Sequence, residues 1–137
     1  MSADRDQALR SLDVLVGTWR VSGTDGGGHG LVSYRWMEGG RFLVQEVDLA
    51  DDGTGASKGV EYIGFDTDTG TLRSHFFGQS GEILEYTYEV AGDTLTIWFG
   101  DRGSPAKFEG AFNADFTVNT GRWVWPGGGY ASTMVKV

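Results

Sequence analysis

Residues 83–99 read ILEYTYEVAGDTLTIWF, two runs of alternating apolar and polar residues separated by a short polar segment. Side chains alternate between the two faces of a β-strand, so a period of two residues predicts a strand on each side of that segment. The AGD tripeptide between the runs is typical of a hairpin turn. The stretch therefore predicts an antiparallel hairpin with strands over 83–90 and 94–99.

The same pattern continues on both sides of this hairpin. Clusters rich in Gly, Asp, Asn or Ser separate the apolar runs and favour turns. The other strands are predicted directly after Gly17 and over 31–36, 41–49, 59–65, 71–77, 107–112, 116–125 and 130–137. No helical crossover interrupts the series, which argues against a parallel α/β sheet. Ten short strands joined by short turns form a meander, and closure into a barrel would remove its exposed edges.

One helix is predicted ahead of the strands, over about residues 4–16. Its apolar residues recur at helical spacing: Ala8, Leu9, Leu12, Leu15 and Val16. A short helix with one apolar stripe has to pack on something, and closing one end of the barrel would serve this need. The sequence predicts an all-β fold in one domain over residues 1–137, a single antiparallel up-and-down barrel of about ten strands with one short N-terminal helix.

Composition narrows the classes of function. The net charge of −8 and a pI near 4.5 argue against nucleic acid as a partner, because phosphate binding needs a basic surface. The chain has no cysteine and two histidines, which excludes disulfides and leaves no usual zinc-ligand set, so no metal is expected. Charged residues stand where a signal peptide would be apolar, and no run approaches a membrane span. We expect a cytoplasmic protein without a membrane partner.

The alternation also predicts which side chains face the interior. On the strand over 41–49 it assigns the inner face to Leu43, Gln45, Val47 and Leu49. On the strand over 83–90 it assigns that face to Leu84, Tyr86, Tyr88 and Val90. On the strand over 71–77 the alternation does not decide which face is internal. One face carries Leu72, Ser74 and Phe76, and the other carries Arg73, His75 and Phe77. Apolar walls with a few polar groups, in a barrel wide enough to enclose space, predict a ligand cavity.

We expect this cavity to hold a hydrophobic or aromatic small molecule. The predicted polar contacts are Gln45, Tyr86, Tyr88 and His75. The predicted walls are Trp36, Tyr62, Trp98 and Trp123. His75 can titrate near neutral pH within a strand, so His75 and Tyr86 are the candidates for catalytic groups should the protein be an enzyme. The alternative for His75 is a residue that packs or faces solvent beside Arg73.

Several segments resemble one group of proteins. Residues 12–19, LDVLVGTW, resemble the opening of calycin-like barrels, where Gly-x-Trp follows a short helix. Residues 36–45, WMEGGRFLVQ, look like an uncharacterised bacterial (actinobacterial-type) barrel family that is distantly similar to nitrobindin and to fatty-acid-binding and lipocalin barrels. The SHFF segment at 74–77 and the GGGYASTM segment at 127–134 are similar to that family too. The resemblance implies a lipocalin-like barrel and little about activity.

The resemblance also raises the question of haem. Nitrobindin-like barrels hold haem through a histidine near the C-terminus, whereas the histidines of this chain are His29 and His75. This departure disfavours haem, and we expect no cofactor. Three functions remain open: a small-molecule-binding module, a cofactor-independent cyclase or isomerase that uses the cavity, and a filled barrel with a structural or oligomerising role. A homodimer also remains open.

Overall fold

The computed structural model describes residues 2–24, 28–50 and 56–137. The chain begins with helix α1 (Ser2–Ser11) and continues through one 3-10 turn (Leu12–Leu15). The strands are β1 (Gly17–Gly23), β2 (His29–Trp36), β3 (Phe42–Ala50), β4 (Ala56–Asp66), β5 (Thr71–Gly78), β6 (Ile83–Ala91), β7 (Thr94–Phe99), β8 (Lys107–Phe112), β9 (Val118–Trp125) and β10 (Gly128–Lys136).

The sheet is a closed antiparallel meander. Each strand pairs with its neighbours along the chain, and β1 also pairs with β10, which closes the barrel. At this seam Val21 lies opposite Met134, and Gly23 lies opposite Ser132. Strands begin and end within three residues of the predicted positions. The predicted fold, a ten-stranded antiparallel barrel with one short N-terminal helix, is confirmed.

The two ends of the barrel differ. At the helix end, α1 contacts β4, β5 and β6, and the chain enters β1 at Gly17. The opposite end, called the far end below, is where β1 finishes at Gly23 and β10 begins at Gly128. None of the helices in the described ranges has the length and apolar character needed to span a membrane.

Side chains fill the helix end. Leu12, Leu15 and Trp19 have no exposed surface, and Leu9 joins them in the core. The indole Nε1 of Trp19 donates a hydrogen bond to the carbonyl oxygen of Leu15 at 2.8 Å, which ties the first strand to the turn before it. The apolar stripe of the helical segment therefore closes the barrel. We call Leu9, Leu12, Leu15 and Trp19 the plug.

The helix prediction over 4–16 needs one correction. Regular α-helix ends at Ser11, and the next four residues form a tighter 3-10 turn. The backbone N–H of Val16 donates to the carbonyl of Asp13 at 3.1 Å, a shorter sequence spacing than an α-helix uses. The tightening brings both Leu12 and Leu15 onto the interior.

The ninth strand begins at Val118 and not at residue 116. The side-chain oxygen of Asn113 accepts the backbone N–H groups of Thr117 and Val118, each at 2.9 Å. Phe116 adopts a φ of 58°, a left-handed conformation that a strand does not accommodate. The Asn113 side chain therefore holds a turn where the alternation predicted a strand.

Candidate functional site

A cavity of about 250 Å³ lies inside the barrel, toward the far end. Most of its wall is apolar, and large contributors are Leu49, Phe76, Leu84, Ile97, Phe108 and Trp123. Polar side chains also reach it, chiefly Gln45, Glu61, Tyr86, Tyr88, Tyr130 and Ser132. The barrel interior is thus divided between a packed helix end, which holds the plug, and a hollow far end.

Glu61 is the buried acid of this cavity. It lies on β4, between Gln45 of β3 and Phe76 of β5 in the ladder, and only 3% of its surface is exposed. Ser74 Oγ donates a hydrogen bond to Glu61 Oε2 at 2.5 Å, and the Tyr88 hydroxyl donates to Oε1 at 2.8 Å. Burial raises the pKa of the Glu61 carboxyl, and the two hydrogen bonds offset part of that effect.

Two further polar groups extend this cluster. Gln45 Nε2 donates to the hydroxyl oxygen of Tyr34 at 2.9 Å, and the Tyr34 hydroxyl lies next to that of Tyr88. Burial raises the pKa values of the Tyr34 and Tyr88 hydroxyls, and the nearby Glu61 raises them further. Both phenols therefore keep their protons at neutral pH and can act as hydrogen-bond donors. We call Tyr34, Gln45, Glu61, Ser74 and Tyr88 the polar cluster.

Two tyrosine hydroxyls face the cavity outside this cluster. Within the described part of the chain, the hydroxyls of Tyr86 and Tyr130 make no hydrogen bond to protein, although both side chains are partly buried. Burial, and then the charge of Glu61, raises the pKa of Tyr86 to about 12. The Tyr86 ring packs edge-on against Trp123, with 6.2 Å between ring centroids. The cavity therefore offers hydroxyl donors beside aromatic walls.

Four of the predicted ligand-contacting residues line this cavity: Gln45, Tyr86, Tyr88 and Trp123. They lie on strands β3, β6 and β9, and the structure brings them together across the barrel interior. The inner faces predicted for β3 and β6 match the observed lining, because Val47, Leu49 and Leu84 reach the cavity as well.

Tyr62 and His75 do not reach the cavity, which corrects the prediction that they line it. Tyr62 follows Glu61 on β4, and His75 follows Ser74 on β5, so both side chains point outward. His75 Nε2 lies 3.8 Å from Glu85 Oε2 on the surface, and more than half of the His75 side chain is exposed. The open question about β5 is thereby settled, because its Ser74 face is internal.

Trp98 is buried, but on the outside of the barrel. The loop after β7 folds back over this face, and the Arg102 guanidinium lies 5.6 Å from the centre of the Trp98 ring. Arg102 also pairs with Glu89 on β6 at 2.8 Å. The predicted wall residue is therefore covered by a loop and does not contact the cavity.

Trp36 lies at the helix end, away from the cavity. Its indole Nε1 donates to Asp13 Oδ1 at 2.8 Å, and the Arg10 guanidinium stacks 4.3 Å from its ring centre. Trp36 thus links β2 to the helical segment. Trp36 does not line the cavity, which corrects the prediction that it forms part of the wall.

The sequence analysis did not predict that Glu61, the acid of the polar cluster, faces the cavity. The segment around Glu61 has apolar residues on both faces, Val60 and Tyr62 on one and Ile63 and Phe65 on the other. Taking Tyr62 as internal shifts the register by one residue and turns Glu61 to solvent. The available signal was the neighbouring strand, where an inward Gln45 already indicated a polar site in the core.

The described residues hold no group of three or more His, Asp or Glu side chains that could bind a metal ion.

No protein-family model matches the chain, and no curated protein matches it at a significant level.

Proposed function

We propose that the barrel binds a small, largely apolar molecule in its cavity. The observation that carries this proposal is a cavity of about 250 Å³ with apolar walls and a polar cluster concentrated on one side. Ligand sites are mostly apolar, with a few placed polar groups, and typically enclose about 300–1,000 Å³. The volume here favours a ligand smaller than most drugs.

The two parts of the wall have different roles in this proposal. Apolar surface buried against Leu49, Leu84 and Ile97 supplies most of the affinity, since burial of such surface contributes about 25 cal/mol per Å². The rings of Phe108 and Trp123, whose centroids are 5.5 Å apart, provide aromatic surface for an aromatic or alicyclic group. The polar cluster orients the other end of the ligand.

A second candidate function is cofactor-independent catalysis of the cyclase or isomerase type. The hydrogen bond from Tyr88 to Glu61 favours it, because a desolvated carboxyl with a raised pKa can exchange a proton with a bound substrate. Tyr86 remains a candidate donor to such a substrate. Loss of turnover with unchanged affinity in Glu61→Gln would support the enzyme, whereas loss of affinity alone would support the binding module.

A relation to calycin-like barrels is part of the proposal. It is supported by the closed ten-stranded meander and by the buried Trp19, which follows the short helix and Gly17. A histidine ligand to haem has no support within the cavity, because His75 is on the outer surface and His29 is exposed at the start of β2.

The binding proposal is tested with a neutral fluorescent probe, N-phenyl-1-naphthylamine. We expect saturable binding by the native protein, and Leu84→Trp to weaken it by at least about tenfold because the new ring fills the cavity. Ile83→Trp is the matched control, since Ile83 is the preceding residue on β6 and points to solvent with 63% of its surface exposed. Absence of saturable binding, or equal binding by both variants, would contradict the proposal.

A further inference from the structure

The cavity encloses an acid without an enclosed base. Glu61 is the ionisable carboxyl among the lining residues, and no Lys, Arg or His lines the cavity in the described ranges. The basic residues of β4 and β5 point outward. Lys58 pairs with Asp48 at 3.6 Å, Arg73 pairs with Asp101 at 2.6 Å, and His75 Nε2 lies 3.8 Å from Glu85 Oε2.

This arrangement is electrostatically incomplete. The hydroxyls of Ser74 and Tyr88 donate to Glu61 but carry no positive charge. Ionising a buried carboxyl that lacks a cationic partner costs far more free energy than a neutral hydrogen bond returns. A ligand that brings a positive charge into the cavity would offset the cost of ionising Glu61, whereas a neutral hydrogen-bond donor would not.

The walls next to Glu61 also suit a cation. Phe76 is its neighbour across the β4–β5 ladder, and the Tyr88 hydroxyl is bonded to it. Tyr86 lines the same cavity, two residues before Tyr88 on the same face of β6. Aromatic faces carry negative potential and attract ammonium groups, most strongly where water is excluded.

We propose that the ligand of this cavity carries a basic nitrogen, and that its protonated form is held by Glu61 among the rings of Phe76, Tyr86 and Tyr88. This inference rests on the proposed binding function and names its ligand class, small apolar amines. The apolar part of the amine occupies the side of the cavity lined by Leu84, Phe108 and Trp123.

The proposal predicts that amine binding is linked to pH. The titratable groups that share the cavity with Glu61 are the hydroxyls of Tyr34, Tyr86, Tyr88 and Tyr130, and burial raises the pKa of each of them. Glu61 is therefore the cavity group whose ionisation a bound cation would promote. Burial favours its neutral form in the empty cavity, so a bound ammonium group displaces a proton from the carboxyl. Affinity for the amine should rise with pH while the amine itself stays protonated.

The experiment compares two probes of equal size, 2-phenylethylamine and 2-phenylethanol, as competitors of N-phenyl-1-naphthylamine. At pH 8 we expect the amine to displace the dye at a concentration at least about tenfold lower than the alcohol, equivalent to roughly 1.4 kcal/mol. This preference should shrink at pH 5, and it should disappear in Glu61→Gln. Glu85→Gln is the matched control, because this carboxylate lies on the outer face of β6, and the preference should persist in it.

The outcomes separate the two proposals. If the dye binds but the amine displaces it no better than the alcohol, the amine class is wrong and the binding function stands. If the native protein binds no dye, the binding function itself is wrong. The comparison in the native protein decides the question even if Glu61→Gln fails to fold. Persistence of the amine preference in a folded Glu61→Gln variant would overturn the role of Glu61.

Discussion

Glu61 is the residue at which the stability of this barrel and its proposed function conflict. A carboxyl on an inner face, almost without exposed surface, is an expensive choice for a core position. The hydrogen bonds from Ser74 and Tyr88 reduce the cost and hold both carboxyl oxygens in place. A fixed, desolvated acid of this kind is typical of functional sites.

The first prediction concerns the pH dependence of stability at Glu61. Burial raises its pKa in the folded protein above the ordinary value of 4.5, so between these two values the folded state binds more protons than the unfolded state. The contribution of Glu61 to the free energy of unfolding is therefore largest in acid and falls as pH rises from about 4, by at most about 1.4 kcal/mol per pH unit.

Glu61→Gln removes this titration. Its free energy of unfolding, measured by urea denaturation, should therefore increase relative to that of the native protein as pH rises from 4 toward 8. Other ionisable groups are common to both proteins, and their contributions cancel in the difference. A difference that stays constant over this range would contradict the prediction.

Asn119 is the second unusual core residue. It is fully buried on β9, and neither its amide nitrogen nor its amide oxygen has a hydrogen-bond partner. Leaving such groups unpaired costs about 1–3 kcal/mol, whereas an apolar side chain of similar shape avoids that cost. We predict that Asn119→Leu raises the free energy of unfolding by about 1 kcal/mol in urea denaturation.

Thr120 provides the control for this substitution. It is the next residue on β9, and its exposed side chain points to the opposite face. Thr120→Leu should change the free energy of unfolding by no more than about 0.5 kcal/mol. Destabilisation by Asn119→Leu would show that the amide has a partner in solution.

At the scale of elements, the helical segment depends on the plug. Leu12 has no exposed surface although it follows the last residue of α1, so its contacts are to the barrel interior. Deleting a buried Leu side chain costs about 2–5 kcal/mol. We predict that Leu12→Ala lowers the free energy of unfolding by this amount, measured by urea denaturation. Gln7→Ala, at an exposed position on α1, should stay within about 0.5 kcal/mol of the native protein.

The features that reveal a strand in the sequence differ from the features that decide which of its faces is internal. Each strand was predicted because its period of two is bounded by turn residues, and these are local signals. The inner face was predicted correctly on β6, where Tyr86 and Tyr88 alternate with polar residues. It was missed at Glu61, because both faces of that part of β4 carry large apolar side chains.

The failure at Trp98 has a different cause. Large aromatic residues are usually interior, and Trp98 is buried as expected. The cover is supplied by a loop residue, Arg102, and by its ion pair with Glu89 on β6. The alternation within β7 places Trp98 on the face of Thr94 and Thr96, opposite Leu95 and Ile97, so the period itself indicated an outward side chain. The prediction failed because a large aromatic residue was taken to be interior.

For the whole molecule, closure determines both stability and the cavity. The seam between β1 and β10 gives each of the ten strands two neighbours, so the described sheet has no edge strand. The plug fills one end of the interior, and the cavity occupies the other. The cavity thus exists because the closed wall is wider than the side chains at the far end can fill.

The seam supports a prediction that distinguishes a closed barrel from an open sheet. Successive N–H groups along a strand point to opposite neighbours, so those of Ser132 and Thr133 on β10 are directed toward different strands. In an open sheet ending at β10, one of the two would face solvent and would accept proline. In the closed barrel, Ser132→Pro and Thr133→Pro should each lower the free energy of unfolding by at least about 1–3 kcal/mol, since each leaves a carbonyl of a neighbouring strand unpaired. Urea denaturation of both variants tests this expectation, and tolerance of Thr133→Pro, whose N–H is directed toward β1, would contradict closure through β1 and β10.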